Sequence, residues 1–318
     1  MAAEEEFHDF YKYTPSKAAA GIFIALFLVT TCFHIVQLVR RRVWFFIPIA
    51  VGGFFEIIGY AARIISTTEA PLFTDTPYII QSLFLLLAPA LFAASIYMEL
   101  GRIIALLQGE QHAVIRRTWM TKVFVTGDVL SFVVQGAGGG IMSSGTPSNL
   151  SLGQNVIIVG LAIQLLFFGF FIVTTSLFHR RMIAYPTSAS FTVQISWRKH
   201  ILTLYVVSVL IILRSIFRVA EYVLGNDGAL LKSEVYLFVF DAALMWILMV
   251  VLNVVHPGEV SEALVVSEVK SGDSRMEMNP FDEERLGGAR EGLSEERVRV
   301  SNDRGSARRA IYARHGLV

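Results

Sequence analysis

The chain has 318 residues, of which 54% are hydrophobic and only 17% are charged. This composition excludes an ordinary soluble protein and indicates an integral membrane protein. The formal net charge of +1 provides no basic surface for a nucleic acid, so we expect no nucleic-acid partner. The single cysteine, Cys32, excludes an internal disulfide and a cysteine-based zinc site.

Seven apolar stretches are long enough, at about 20 residues or more, to cross the hydrocarbon core of a bilayer as helices. Barrel strands need only about 9 to 11 residues, so runs of this length predict helices. The predicted spans are residues 18–39, 43–66, 78–100, 120–142, 154–178, 200–224 and 235–255. The sequence therefore predicts an all-α, polytopic membrane protein, with an N-terminal segment 1–17, a seven-helix domain 18–255 and a tail 256–318.

The basic residues beside the spans predict the orientation, because Lys and Arg are retained in the cytoplasm. One set of connections carries Arg40, Arg41, Arg42, Arg116, Arg117, Lys122, Arg180, Arg181, Arg198 and Lys199, and the opposite set carries only Lys12, Lys17 and Lys232. This difference predicts an extracellular N-terminus and a cytoplasmic C-terminus. The predicted outer loop 143–153 contains a sequon at Asn149, which we expect to be a glycosylation acceptor.

The tail, residues 256–318, is rich in Glu, Arg, Ser and Gly and has no sustained apolar period. Such a composition cannot bury enough surface to fold, so we predict a disordered cytoplasmic tail. Within it, Asn279, Pro280 and Phe281 resemble the Asn-Pro-Phe signals that endocytic adaptor domains bind, although the same tripeptide also arises by chance. The signal, if used, favours the plasma membrane; the vacuole and the endoplasmic reticulum are the alternatives.

Several spans carry ionisable side chains, each of which costs about 2.5 to 3.5 kcal/mol at the centre of a membrane helix. Spacings of three, four and seven residues place them on one face of their helix. The predicted polar set is Glu56, Tyr60, Arg63, Gln81, Asp128, Gln135, Arg214, Arg218, Glu221 and Asp241. Estimated depths predict a single network in the outer half of the bundle, in which Arg63 pairs with Glu221 and Arg218 pairs with Asp241.

Two interpretations of this polar set remain open. Ion pairs between helices can fix their register, and a polar patch inside a bundle can also bind the polar end of an amphipath. We favour binding, because a register needs only one or two polar contacts. Two backbone features favour a gate beside the patch: Pro89 predicts a kink in the third span, and Gly136, Gly138, Gly139 and Gly140 predict close helix contact or local unwinding.

The sequence contains no P-loop and no histidine cluster with metal-ligand spacing. We therefore expect no cofactor, no metal site and no enzymatic activity.

Several separated motifs together resemble a known family. They are Glu56 with Tyr60 and Arg63, Gln81 with Pro89 and Tyr97, Asp128 with Gln135 and the glycines after it, Arg214 with Arg218 and Glu221, and His256 with Pro257 and Gly258. Over residues 21–258 the chain is similar to the fungal lipid-translocating exporters, the RTA-like, aminocholesterol-resistance proteins. The resemblance implies a seven-helix fungal membrane protein that exports sphingoid long-chain bases or related toxic amphipaths and so confers resistance. Members are also associated with porphyrin or haem movement and with lipid asymmetry.

Buried acids predict that the cargo carries a positive charge. A long-chain base has an ammonium headgroup, which would pair with a carboxylate at Glu56, Asp128, Glu221 or Asp241, and its alkyl tail would stay in lipid or in an apolar groove. A seven-helix receptor or sensor matches the same topology. A regulator of lipid asymmetry that carries nothing itself shares all of these features too.

Overall fold

The computed structural model of the protein describes residues 16–68, 75–142, 146–224 and 234–277. Within these ranges the regular secondary structure is helical and includes no β-strand. The helices are α1 (Lys17–Arg41), α2 (Ile47–Thr68), α3 (Asp75–Leu106), α4 (Arg117–Met142), α5 (Pro147–Ala184), α6 (Ser188–Thr192), α7 (Trp197–Leu224), α8 (Glu234–Leu237), α9 (Leu244–Val254) and α10 (Gly258–Glu277). Seven helical stretches of the described residues are long and apolar enough to cross a membrane, which confirms the predicted seven-helix architecture.

The seventh span is not a uniform α-helix. Between α8 and α9 the backbone forms a π-helical segment, Phe238–Ala243. A π-helical turn holds more residues than an α-helical turn, so it rotates the side chains that follow relative to those before it. Asp241 lies inside this segment, and its side chain is buried in the bundle.

Helices that are adjacent in sequence pack side by side. Helix α7 contacts α3, α5 and α9, and α1 packs against both α2 and α9, which closes the bundle. We call the end of the bundle at which α1 begins the Ser16 end, and the opposite end the Arg41 end. Helix α2 finishes at the Ser16 end, and α4 and α7 begin at the Arg41 end.

Helix α5 begins earlier than the sequence suggests. Pro147 occupies its first turn, where a missing N–H is harmless and a fixed φ favours the helix. Asn149 therefore lies in the first turn of α5, and the prediction of a loop through residue 153 is wrong.

The tail prediction also fails in its first part, because α10 occupies Gly258–Glu277. Val260, Leu264 and Val265 of this helix are buried, and the helix packs against α3. These few apolar residues are hidden in an average over the whole tail, but three of them at helical spacing are enough to dock a helix. Residues 278–318, which include Asn279, Pro280 and Phe281, lie outside the described residues.

Candidate functional site

Four of the predicted polar residues meet in the centre of the bundle. Glu56 and Tyr60 come from α2, Arg214 from α7 and Asp241 from the π-helical segment. Arg214 forms an ion pair through Nε with the carboxylate of Asp241. Glu56 has Asp241 and Arg214 as its charged neighbours, and its side chain is only 1% exposed. We call these four residues the central cluster.

Arg214 has a second partner, which the sequence did not reveal. Its Nη2 donates a hydrogen bond of 2.5 Å to the main-chain carbonyl oxygen of Leu85 in α3. Leu85 precedes Pro89 by four residues, and a proline has no N–H to donate to the carbonyl one turn back. Pro89 thus leaves one carbonyl of α3 without its helical donor, and Arg214 takes its place.

Small residues on α2 bring that helix close to α3 at the level of the cluster. Gly52 and Gly59 lie on the same face of α2 as Glu56, at a spacing of four and three residues. A Cβ atom on Gly59 would lie 2.5 Å from the side chain of Leu85, and one on Gly52 would lie 2.5 Å from that of Phe92. Glycine at both positions therefore lets Glu56 approach the Arg214 and Leu85 contact.

The charges in the central cluster do not balance. Glu56 and Asp241 supply two carboxyl groups, and Arg214 supplies one guanidinium, which pairs with Asp241. Oε1 of Glu56 is buried and accepts no hydrogen bond from the part of the chain that the structure describes. A buried carboxylate without a cation is strongly unfavourable, so Glu56 must take up either a proton or a positively charged group.

A second pair lies closer to the Ser16 end and differs from the prediction. Arg63 does not pair with Glu221; its Nη2 lies 2.7 Å from Oε1 of Glu234, the first residue of α8. The main-chain N–H of Ser16 also donates to Glu234, at 2.8 Å from Oε2. Glu234 thus links the starts of α1 and α8 to α2. The predicted seventh span began at the next residue, so Glu234 was not among the predicted polar residues.

The prediction for Arg218 is also wrong. Its main partner is not Asp241 but Glu221, three residues further along the same helix. Nη1 of Arg218 lies 2.7 Å from Oε2 of Glu221. A pair at this spacing is local to one helix turn. Asp241 instead forms an ion pair with Arg214, because the π-helical segment sets the direction of the Asp241 side chain.

The polar residues of α4 do not join the central cluster. Ser131 donates a hydrogen bond of 2.8 Å to the carbonyl oxygen of Gly160 in α5. Gln135 donates hydrogen bonds of 2.6 Å to Oγ of Ser131 and 3.4 Å to the side chain of Gln164. Asp128 is buried beside the Tyr97 hydroxyl of α3, and within the described residues its carboxylate oxygens accept no hydrogen bond of ordinary geometry from that hydroxyl. The prediction of one network across spans two, four, six and seven is therefore wrong for span four.

The predicted gate residues lie within continuous helices. Helix α3 continues through Pro89 to Leu106, and α4 continues through the glycines to Met142. Gly138 faces α5, where an added Cβ would lie 2.7 Å from the carbonyl oxygen of Gly153. An added Cβ atom would meet nothing within 4 Å at Gly136, Gly139 or Gly140. The last of the predicted residues, Gln81, is buried in α3 one turn before Leu85.

A buried histidine at the Arg41 end is a further feature that sequence reasoning did not find. His200 of α7 lies 3.3 Å from Oε1 of Glu99 in α3 through Nδ1, and 3.3 Å from Oε2 of Glu259 in α10 through Nε2. Lys199 also reaches Glu259, at 3.8 Å. In the described ranges no group of three or more His, Cys, Asp or Glu side chains is arranged to hold a metal ion. The contacts hold α10 against the bundle.

The chain is 36% identical to Protein RTA1 of Saccharomyces cerevisiae over 78% of its length and 85% of that relative. It is 34% identical to Protoporphyrin uptake protein 1 of the same yeast over 77% of its length and 90% of the relative. It is also 28% identical to the Sphingoid long-chain base transporter RSB1, over 74% of its length and 70% of the relative.

No solved structure matches this chain. Residues 49–263 match the family described as RTA1 like protein, and this range begins at the start of α2 and ends within α10. It contains the whole central cluster as well as both arginine pairs. The chain therefore belongs to the RTA1-like family.

Proposed function

We propose that the protein is a membrane exporter or translocator of cationic amphipaths, most specifically sphingoid long-chain bases, and not an enzyme. The observation that carries this proposal is the excess carboxyl group at Glu56 beside the Arg214 and Asp241 pair. An ammonium headgroup would neutralise Glu56, and its alkyl tail would remain in lipid. When the headgroup leaves, a proton can take its place, so the cluster stays neutral in both states.

The relatives support transport of this class of molecule. One is named as a sphingoid long-chain base transporter, and it covers most of the chain. The central cluster and the Arg63 pair lie in the matched range, and resistance to toxic amphipaths is what export of such molecules would produce.

Glu56→Gln tests the headgroup role, because it keeps the shape of the side chain and removes its charge. Purified protein in liposomes should move a fluorescent long-chain base between leaflets, and the variant should lose at least 90% of this activity. Glu110→Gln is the matched control, since that carboxylate is 66% exposed at the Arg41 end. Wild-type transport in folded Glu56→Gln protein would contradict the proposal.

The same assay separates a transporter from a receptor, sensor or regulator of lipid asymmetry. A transporter moves the lipid without any other protein, whereas a regulator acts only through a partner. Lack of transport by folded, purified protein would favour the receptor, sensor or regulator.

A porphyrin carrier is the second candidate, because a relative named for protoporphyrin uptake is 34% identical. Porphyrins of this type carry carboxylates, which need a cation in the binding site. The guanidinium of Arg214 is already engaged by Asp241 and the Leu85 carbonyl. We therefore favour the cationic cargo, and Glu56→Gln should impair transport of a long-chain base much more than transport of protoporphyrin.

We propose that the Ser16 end faces outward and that the protein resides in the plasma membrane, with Asn149 as the glycosylation acceptor. Loss of a glycosidase-sensitive mass in Asn149→Gln would support this orientation. We also propose that Asn279, Pro280 and Phe281 bind an endocytic adaptor, so Phe281→Ala should slow internalisation. Vacuolar or endoplasmic reticulum residence of the tagged wild type would overturn the location.

A further inference from the structure

A groove at the Arg41 end lies apart from the central cluster. Its volume is about 280 Å³, and it is formed where α3, α4 and α10 meet the segment before α2. Its walls include the side chains of Phe45, Arg102, Arg117, Thr118, Thr121 and Leu264. Two guanidinium groups and two hydroxyl groups, all of them hydrogen-bond donors, thus line one small space.

The two arginines line the same groove, and their like charges repel each other. The guanidinium of Arg102 is fixed by stacking on the ring of Phe45, with Cζ 3.8 Å from the ring centroid. Among the described residues, Arg117 pairs with Glu110 at 3.4 Å, and that carboxylate is 66% exposed and so only weakly attractive. An anion placed between the two guanidinium groups would be attracted to both of them.

The backbone of the groove favours an anion as well. Helix α4 begins at Arg117, so the free N–H groups and the positive end of the helix dipole lie beside Arg117, Thr118 and the groove. Paired guanidinium groups with adjacent hydroxyl groups at a helix start are well suited to the oxygen atoms of a phosphate.

The surroundings place this groove at the level of lipid headgroups. Trp119, the third residue of α4, is 59% exposed, and Nζ of Lys122 lies 5.5 Å from the centroid of its ring. Exposed tryptophan and lysine at a helix end are typical of the membrane interface. Ligand pockets usually measure about 300 to 1,000 Å³, so this groove has room for a headgroup but not for a whole lipid.

We propose that this groove binds a phosphate group, supplied by the headgroup of an anionic phospholipid, between Arg102 and Arg117. This site is separate from the proposed cargo site in position and in charge. Leu264 of α10 forms one wall, so the occupied site also joins α10 to α3 and α4.

Binding of dioctanoyl phosphatidic acid to the purified full-length protein in detergent tests this proposal, with native mass spectrometry as the readout. Wild type should retain one phosphatidic acid. Arg102→Gln with Arg117→Gln should weaken binding at least tenfold. Arg116→Gln with Lys122→Gln removes the same charge from the same end but changes no lining residue, and it should bind within twofold of wild type. Equal losses in both double variants would reduce the effect to surface charge and overturn the proposal.

Arg117→Gln alone guards against misfolding, because that side chain is 37% exposed and its loss leaves the Arg102 stack intact. It should weaken binding at least threefold with unchanged thermal stability, and wild-type affinity would overturn the proposal. Inorganic phosphate added as a competitor identifies the source. If millimolar phosphate fails to displace phosphatidic acid, the lipid is the ligand; displacement at equal affinity would replace the lipid by a free ion.

Discussion

Nη2 of Arg214 donates to the carbonyl oxygen of Leu85, 2.5 Å away, at the one turn of α3 that Pro89 deprives of its helical hydrogen bond. The same arginine pairs with Asp241 through Nε. Pro89 therefore acts as more than a source of bending: it provides an acceptor that holds a buried guanidinium in position. The gate and the polar cluster, which the sequence suggests as separate features, share this contact.

The first prediction concerns Pro89→Ala. An alanine N–H would compete for the Leu85 carbonyl, so Arg214 would lose a fixed partner while α3 gained a backbone hydrogen bond. Removing a proline from a helix interior is worth up to about 3 kcal/mol. We expect a melting temperature equal to or above that of wild type, together with at least fivefold slower transport of a long-chain base in liposomes.

Pro48→Ala is the control for this substitution. Pro48 is the second residue of α2, where a missing N–H costs no helical bond, so its replacement should leave transport unchanged. Normal transport by Pro89→Ala would show that Arg214 does not depend on the freed carbonyl.

The second prediction compares the two remaining arginine pairs. Arg63 is 1% exposed and its pair with Glu234 joins separate helices, whereas Arg218 and Glu221 belong to one turn of α7. Loss of one member of a buried pair costs about 3 to 5 kcal/mol. Glu234→Gln should therefore lower the melting temperature in detergent clearly more than Glu221→Gln does.

A double-mutant cycle checks the assignment. Arg63→Gln with Glu234→Gln should be more stable than the sum of the two single changes predicts, because neither charge is then left alone. Additive losses would mean that the two side chains do not interact.

How far the sequence alone could go is visible in these pairs. Length and composition were sufficient for seven helices, because a bilayer demands long apolar segments. The same logic placed Glu56, Arg63, Arg214 and Asp241 inside the bundle, where the structure buries them. The sequence could not predict which acid each arginine contacts. An arginine side chain reaches across a whole helical turn, and depth estimates assume straight, regular helices.

Two local features account for most of the errors. The π-helical segment around Asp241 changes the direction of the Asp241 side chain, and the spacing of apolar residues does not predict such a segment. Glu234 was left out of the predicted seventh span because a charged residue marks the end of an apolar stretch, yet Glu234 is the partner of Arg63. Its only sequence signal was an acid next to the predicted seventh span, near the estimated depth of Arg63.

The third prediction separates packing from flexibility in the glycine run of α4. Gly138→Ala would place a Cβ 2.7 Å from the Gly153 carbonyl oxygen, and overpacking of this kind costs about 1 to 3 kcal/mol. Gly139→Ala meets nothing within 4 Å and should gain about 0.5 to 1 kcal/mol, because alanine favours a helix. Melting curves of the two variants should therefore move in opposite directions.

Transport by Gly139→Ala then decides whether the run is a gate. Stabilised protein with wild-type transport would leave only helix packing as the role of these glycines. Stabilised protein with slow transport would show that unwinding of α4 is part of the cycle.

The last prediction concerns the docking of α10. Val260 is fully buried, whereas Val266, on the same helix, is 44% exposed. At roughly 0.8 kcal/mol per buried carbon group, Val260→Ala should weaken the docking of α10 by about 1.5 kcal/mol, and Val266→Ala should have little effect. A loss of this size raises the population of the undocked helix about tenfold, so amide exchange across residues 258–268 should be about tenfold faster in Val260→Ala only. His200→Gln should act in the same direction, since it removes the bridge between Glu99 and Glu259. Equal exchange in the two valine variants would mean that the buried face of α10 does not hold it on the bundle.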